Sequence, residues 1–240
     1  MGLSCFKPDL PPEVEEILNT VEEKVPEITK TFLVKELKLK KDLEDLLKER
    51  HTKVEKDIND KVSEDKLKKT LLDYNKKEIE NEKEIICNET DKLHTIYDLG
   101  LELSDKLKKI TLDKLKEKLN KAPELAKAAI RAQINEVEKY SAKEFLNSSF
   151  GKPLKTALEK HGLREKYLKE YMDKLKEERL NRRKLERKEF NLKENQFPPE
   201  DELQFTAKDL FESIFDEYKG DFIDNIKSKI INKKNGTFMF

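Results

Sequence analysis

Apolar side chains recur at three- and four-residue steps through most of this chain. The longest stretch without Gly or Pro runs from Glu27 to Leu99, and about half of its residues are charged. Its leading apolar positions are Ile28, Phe32, Leu43, Leu46, Leu47, Val54, Ile58 and Val62. This spacing places the apolar side chains on one stripe of an α-helix. The stripe needs neighbouring helices to cover it, because a helix gains most of its stability from burying its apolar face.

Residue types that favour helix ends divide the first half of the chain. Pro11 and Pro12 suit the first turn of a helix, and Pro26 is predicted to end or kink it. Further on, Ser63 and Asn88 are predicted N-caps and Gly100 is a predicted C-cap. The resulting helices lie near 27–62, 64–87 and 90–99. A single continuous helix from 27 to 99 is the alternative.

The second half divides in the same way. Ser104 is predicted to cap one helix, Pro123 to open another that continues to Phe145, and 147–153 to form a loop. A short helix from Pro153 to His161 and a basic helix near 163–194 follow. After a proline-containing linker at 196–201, the last predicted helices begin at Thr206 and Asp221, with Gly220 between them.

No segment alternates apolar and polar residues as a half-buried strand does. We therefore predict an all-α fold. It consists of a flexible tail over 1–9, an elongated antiparallel helical bundle over 10–195, and a two-helix aromatic-rich C-terminal piece over 196–240.

Composition changes this picture little. Charged residues make up 42% of the chain and hydrophobic residues 35%, which is also typical of disordered chains. The regular spacing of the apolar residues favours folded helices instead. The net charge is zero, but residues 1–100 carry 19 basic and 25 acidic side chains, whereas residues 101–200 carry 26 and 18. The two halves can therefore pair with each other, and the overall balance argues against a dedicated nucleic-acid-binding protein.

Catalytic and cofactor-binding motifs are absent from the sequence. The chain has no phosphate-binding glycine loop, no Gly-x-Ser-x-Gly motif and no zinc-type cysteine spacing. Asp91 and His94 have the spacing used in di-iron bundles, but the motif is not repeated. We therefore predict a non-enzymatic protein without a metal or cofactor.

The basic helix supplies the first candidate site. Four arginines fall within nine residues: Arg179, Arg182, Arg183 and Arg187. Guanidinium groups bind carboxylates and phosphates with two hydrogen bonds, so this group is a candidate partner-binding surface. The alternative is an ordinary charged helix face, which could lie against the acidic first half of the chain.

The C-terminal aromatic residues supply a second candidate. Phe211, Phe215, Tyr218 and Phe222 are candidate contacts for an apolar ligand between helices. The alternative is that they form ordinary core.

The N-terminus supplies a third candidate. Gly2 and Cys5 are candidate sites for myristoylation and palmitoylation, which together would anchor the protein on a membrane surface. Phe6 departs from the usual motif, which has Ser or Thr at that position, so a plain flexible tail is the alternative. No secretory signal and no membrane-spanning segment is evident, which predicts a cytoplasmic protein that is at most peripheral on a membrane.

For function, the sequence favours an interaction or scaffold protein that presents long charged helix faces to a protein partner. The alternative is a helical protein that binds a hydrophobic ligand or a membrane surface. The sequence indicates neither the partner nor the oligomeric state.

Overall fold

The fold is all-α, as predicted. The computed structural model describes residues 10–193, 196, 203 and 205–215. Helices take up 87% of these residues, and no strand occurs among them. The helices are α1 (Pro12–Asn59), α2 (Glu64–Lys121), α3 (Glu124–Lys139), α4 (Ala142–Asn147), α5 (Lys152–Lys160), α6 (Glu165–Glu189) and α7 (Ala207–Ile214). None of these helices is both long enough and apolar enough to cross a membrane.

The chain folds into two compact units. Among the described residues, the first unit comprises 10–29 and Leu93–Leu163, and the second comprises Lys30–Lys92 and the residues from Arg164 onward. Each unit therefore takes one part of α1 and one part of α2. The predicted boundary near residue 196 stays a prediction, because much of the chain beyond Lys193 lies outside the described residues.

In the first unit, α1 and α2 run antiparallel. Lys114 Nζ lies 2.7 Å from Glu13 Oε2, so the start of α1 meets the last part of α2. Val21 and Val25 of α1 are buried, as are Leu103 and Leu107 of α2. Burial of this apolar stripe explains why α1 continues through Pro26. The prediction that the helix ends at Pro26 is wrong: the proline is exposed, so water can hydrate the carbonyl whose hydrogen bond it removes.

The predicted breaks at Asn88, Gly100 and Ser104 are also wrong, because α2 is continuous through all three residues. Gly100 lies against α5, and an added Cβ would come within 2.6 Å of Leu158 Cδ1. The Ser104 hydroxyl donates a hydrogen bond of 2.7 Å to the Ala142 carbonyl at the start of α4. Both residues therefore serve contacts between helices of the first unit and not a helix end.

The predicted helix from Pro123 to Phe145 is two helices, α3 and α4. Ser141 begins α4 with a capping box, in which its hydroxyl accepts from the Glu144 N–H and the Glu144 carboxylate accepts from the Ser141 N–H. The loop predicted over 147–153 is present but shorter, because α4 ends at Asn147 and α5 begins at Lys152. Gly151 is needed there, since a Cβ at this position would come within 2.2 Å of the Phe145 carbonyl oxygen.

We expect Gly151→Ala to lower the free energy of unfolding by about 1–3 kcal/mol, because backbone must move to make room for the methyl group. Ser149→Ala is the control: Ser149 is exposed in the same loop, so its replacement should change stability by about 0.5 kcal/mol or less. Urea unfolding followed by circular dichroism measures both. Equal stability of the two variants would contradict the close packing at Gly151.

In the second unit, α1 and α2 again run antiparallel. The Asn88 side chain donates to the Phe32 carbonyl at 3.2 Å, and the Asn81 side chain donates to the Leu39 carbonyl at 3.1 Å. These contacts explain why Asn88 lies within a helix and does not cap one. α6 packs antiparallel to α2, with the Tyr167 hydroxyl donating to Glu89 at 2.5 Å.

The predicted break at Ser63 is confirmed. α1 ends at Asn59, Lys61 adopts a positive φ of 52°, and the Ser63 hydroxyl accepts from the Lys66 N–H at 3.4 Å. α6 ends in a similar way through Asn191, whose φ is 51°. Val62 follows the first of these turns and Leu192 follows the second, and both belong to one apolar cluster. The core of the cluster consists of Val54, Leu67, Leu71 and Leu192, and Ile58, Val62 and Phe190 pack against it.

The Thr206 cap is confirmed as well. Its hydroxyl accepts from the Asp209 N–H and the Asp209 carboxylate accepts from the Thr206 N–H, which completes a capping box at the start of α7. α7 ends at Ile214. The predicted end at Gly220 and the predicted helix from Asp221 lie outside the described residues.

Candidate functional site

A buried group of charged side chains connects α1, α2 and α6 in the second unit. We call it the charge cluster, and its members are Arg50, Glu78, Glu82, Arg179, Arg182, Arg183 and Glu186. Glu78 and Glu82 are four residues apart on α2, so they share a helix face. The three arginines of α6 lie on the α6 face that meets them, because they are also spaced by three and four residues.

Arg50 makes the most complete set of hydrogen bonds in the charge cluster. Its Nε and Nη2 donate to the two carboxylate oxygens of Glu186 at 2.7 and 2.6 Å. Its Nη1 donates to Asn75 Oδ1 at 2.7 Å. Such a two-point guanidinium–carboxylate pair fixes both side chains. Because Arg50 is only 3% exposed, this pair joins α1 to α6 inside the protein.

The α2 glutamates pair with α6. Arg182 donates through Nε and Nη2 to Glu78 Oε1 at 3.2 and 2.8 Å. Arg179 donates through Nη1 to Glu82, and Arg182 Nη2 lies 3.5 Å from the other oxygen of Glu82. Glu78 and Glu82 are each only 1% exposed.

Burial has the largest effect on the pKa of Glu82 and raises it to about 7. The neighbouring Glu78 raises the pKa further, whereas Arg179 and Arg182 lower it. A carboxyl with such a pKa exchanges its proton near neutral pH, which is a property of many functional sites and of some structural ion pairs.

The four arginines predicted as a partner-binding surface are therefore placed differently from one another. Arg179 and Arg183 are buried, Arg182 is partly buried against Glu78, and Arg187 is partly exposed near the end of α6. A partner could not reach Arg179 or Arg183 without displacing these internal ion pairs. That these arginines bind a partner stays a prediction.

The acidic half of the cluster was not predicted from the sequence, although a signal for it exists. Glu78 and Glu82 continue the buried stripe of α2, on which Leu71 and Ile86 also lie. On α6 the stripe that begins with Leu168 continues into Arg179 and Arg183. Charged residues that occupy apolar positions of two neighbouring helices, with opposite signs, indicate a buried ionic layer.

A cavity of about 580 Å³ adjoins the charge cluster. Glu82 and Arg179 line one part of it, and α6 and the segment before α7 supply the rest. The apolar part of its lining consists of Met172, Leu175, Leu180, Leu203 and Phe205. Asp173, Lys176 and Thr206 complete the lining.

The described aromatic candidates, Phe211 and Phe215, are not among the residues that line this cavity. Phe211 and Phe215 contact each other on α7, with ring centroids 4.8 Å apart. Tyr218 and Phe222 lie outside the described residues, as do the lipidation candidates Gly2 and Cys5. Their roles stay predictions. Within the described part of the chain, no group of three or more His, Cys, Asp or Glu residues is placed to hold a metal ion.

A second surface of the same unit is exposed and apolar. Leu33, Val34 and Leu37 of α1 are 44%, 71% and 57% exposed. Lys30, Lys38 and Lys41 are exposed at the neighbouring positions of the same helix face. We call these six residues the α1 face. Glu36 lies outside it and pairs with Lys40 at 2.6 Å.

Comparison with known proteins identifies no relative. No protein-family model, curated protein or solved structure matches the chain.

Proposed function

We propose that this protein is a non-enzymatic helical interaction protein whose α1 face binds an acidic, amphipathic segment of a protein partner. The single observation that carries the proposal is the exposure of Leu33, Val34 and Leu37 side by side on a helix that buries its opposite face. Clustered apolar exposure of this kind, rimmed by polar residues, is typical of protein–protein interaction sites.

Charge decides which partner fits the α1 face. Between Lys30 and Lys41 the helix carries five lysines and one glutamate. A partner segment with apolar residues at helical spacing and flanking carboxylates complements both properties. This arrangement is the usual one for an amphipathic helix that binds along another helix.

A protein segment fits better than a lipid surface. The exposed residues Asp42, Glu44 and Asp45 follow Lys41 directly on α1. An anionic membrane is an extended negative surface, so it would meet these carboxylates as well as the lysines. A short acidic segment can match the lysines alone.

A photo-reactive amino acid in place of Val34 tests the proposal in cells. We expect cross-links to a protein, and we expect peptide mapping to place them on an acidic, amphipathic segment. The same photo-reactive residue at Lys174, which is exposed on α6, is the matched control. Cross-links mainly to lipid, to a second copy of this chain, or to the same proteins from both positions would contradict the proposal.

The triple variant Leu33→Gln, Val34→Gln and Leu37→Gln tests the contribution of the apolar residues. We expect binding of a synthetic peptide with the mapped sequence to weaken at least tenfold, which corresponds to about 1.4 kcal/mol. The free energy of unfolding should change by about 0.5 kcal/mol or less per site, because the replaced side chains are exposed. Calorimetric titration and urea unfolding measure the two effects. Unchanged peptide affinity in the triple variant would contradict the proposal.

A further inference from the structure

The cavity beside the charge cluster has the properties of a small-molecule site. Its volume of about 580 Å³ falls within the range of about 300–1,000 Å³ that is typical of ligand pockets. Half of its lining residues are apolar, and the polar half includes two buried charged residues, Glu82 and Arg179. Apolar walls with a few polar groups bind molecules that have an apolar body and one polar end.

The buried guanidinium group of Arg179 favours a negative polar end. Arg179 pairs with Glu82, and both residues line the cavity. Asp173 of the lining pairs with Lys169 at 2.5 Å. When Glu82 holds a proton, a single negative charge in the cavity would balance Arg179, whereas a cation would add to its charge.

Two buried polar atoms next to the cavity have unused hydrogen-bonding capacity. Arg179 Nε and Glu82 Oε1 form no hydrogen bond within the described part of the chain. A buried donor or acceptor without a hydrogen bond is destabilising. A bound group that accepts from Arg179 would relieve part of this destabilisation.

We propose that this cavity binds a small aliphatic carboxylate, with the hydrocarbon chain along Met172, Leu175 and Leu180 and the carboxylate next to Arg179. A carboxylate carries the one negative charge that balances the Arg179 guanidinium, whereas a phosphate monoester carries between one and two negative charges at neutral pH. Guanidinium also pairs with a carboxylate through two parallel hydrogen bonds.

Glu82 does not prevent the binding of an anion. Burial raises the pKa of Glu82 to about 7, so a neutral carboxyl group is readily formed there. When Glu82 is neutral, Arg179 is left with a charge that the ligand carboxylate can balance. Glu78 and Arg182 are the other charged groups that act on Glu82, and they pair with each other. Binding should therefore strengthen as the pH falls from 8 to 6.

Calorimetric titration of the full chain with decanoate, decanol and decylammonium tests the proposal. We expect decanoate to bind with one molecule per chain, at least tenfold more tightly than decanol, and decylammonium to bind weakest. Equal affinity for decanoate and decanol, or preference for decylammonium, would overturn the proposed contact with Arg179. A stoichiometry well above one would overturn the proposed cavity.

Two variants locate the site. Leu175→Trp fills the cavity, whereas Leu185→Trp places the same side chain at an exposed position of α6 outside the cavity lining. We expect Leu175→Trp to lose at least tenfold in decanoate affinity and Leu185→Trp to bind as the wild type does. Circular dichroism verifies that both are folded. Equal loss in both variants, or loss in neither, would overturn the proposal.

Glu82→Gln keeps the proposal testable even if Leu175→Trp fails to fold. It removes the negative charge that competes for Arg179 and nearly preserves the shape of the side chain. We expect tighter decanoate binding at pH 8 and little change between pH 6 and pH 8. Weaker binding by Glu82→Gln at pH 8 would overturn the proposed contact.

Discussion

Arg50→Met should lower the free energy of unfolding by about 3–5 kcal/mol. Arg50 is 3% exposed and gives two hydrogen bonds to Glu186 and one to Asn75. Methionine fills similar space but leaves the Glu186 carboxylate, whose side chain is only 12% exposed, without its main counterion. An uncompensated buried charge is among the most destabilising results of a single substitution. Urea unfolding at constant pH measures the change.

Two further variants distinguish a buried charge from lost packing. Arg50→Met combined with Glu186→Leu removes both partners, so most of the lost stability should return, as apolar replacements of buried ion pairs often show. Arg164→Met is the surface control: Arg164 also pairs with a glutamate, Glu170, at 3.0 Å, but both side chains are about half exposed. It should cost about 1 kcal/mol or less. Equal losses from Arg50→Met and Arg164→Met would show that the charge cluster is hydrated in solution.

The all-α class could be predicted because its signal is local. Apolar residues at three- and four-residue steps predict helices whatever packs against them, and the capping box of Thr206 and Asp209 lies within four residues of sequence. The break at Ser63 was predictable for the same reason. In both places the residue that caps the helix obtains its hydrogen bond from the helix itself.

The predicted ends at Asn88, Gly100 and Ser104 failed for a common physical reason. These residue types favour helix ends because they form local hydrogen bonds or relieve crowding. In α2 the same properties serve distant parts of the chain: Asn88 bonds to Phe32, and Gly100 admits Leu158. Each contact lies within one unit, but its two partners are more than fifty residues apart in sequence. A local pattern does not contain that information.

The arginines show a related limit. Their spacing on α6 correctly indicates that Arg179, Arg182 and Arg183 lie on one face, but it does not show which way that face points. The direction is decided by Glu78 and Glu82 of α2, about a hundred residues earlier. Hydropathy alone predicts exposure for all of these residues. The glutamates of α2 and the arginines of α6 each continue an apolar stripe of their helix, and only this alignment indicates that both groups face the protein interior.

The wild-type protein should become less stable as the pH rises from 5 to 7.5, and Glu82→Gln should remove most of this dependence. Burial raises the folded-state pKa of Glu82 from 4.5 to about 7. Between pH 4.5 and about pH 7 the folded protein therefore holds a proton that the unfolded chain has released. The free energy of unfolding then falls with increasing pH, by up to about 1.4 kcal/mol per pH unit and by about 3 kcal/mol in all. Above pH 7 this loss is complete.

Denaturant unfolding at several pH values between 5 and 8 measures the slope in the wild type and in Glu82→Gln. Glu117→Gln is the matched control on α2, because a hydrogen bond from Lys121 lowers the pKa of Glu117. A lowered pKa affects stability only at pH values near or below the pKa of an unfolded glutamate, which is 4.5. Glu117→Gln should therefore keep the wild-type slope between pH 5 and 7. The pKa of Glu82 is raised instead, because Arg179 and Arg182 offset only part of the cost of removing the Glu82 charge from water. Full retention of the slope in Glu82→Gln would show that these two arginines compensate that cost completely.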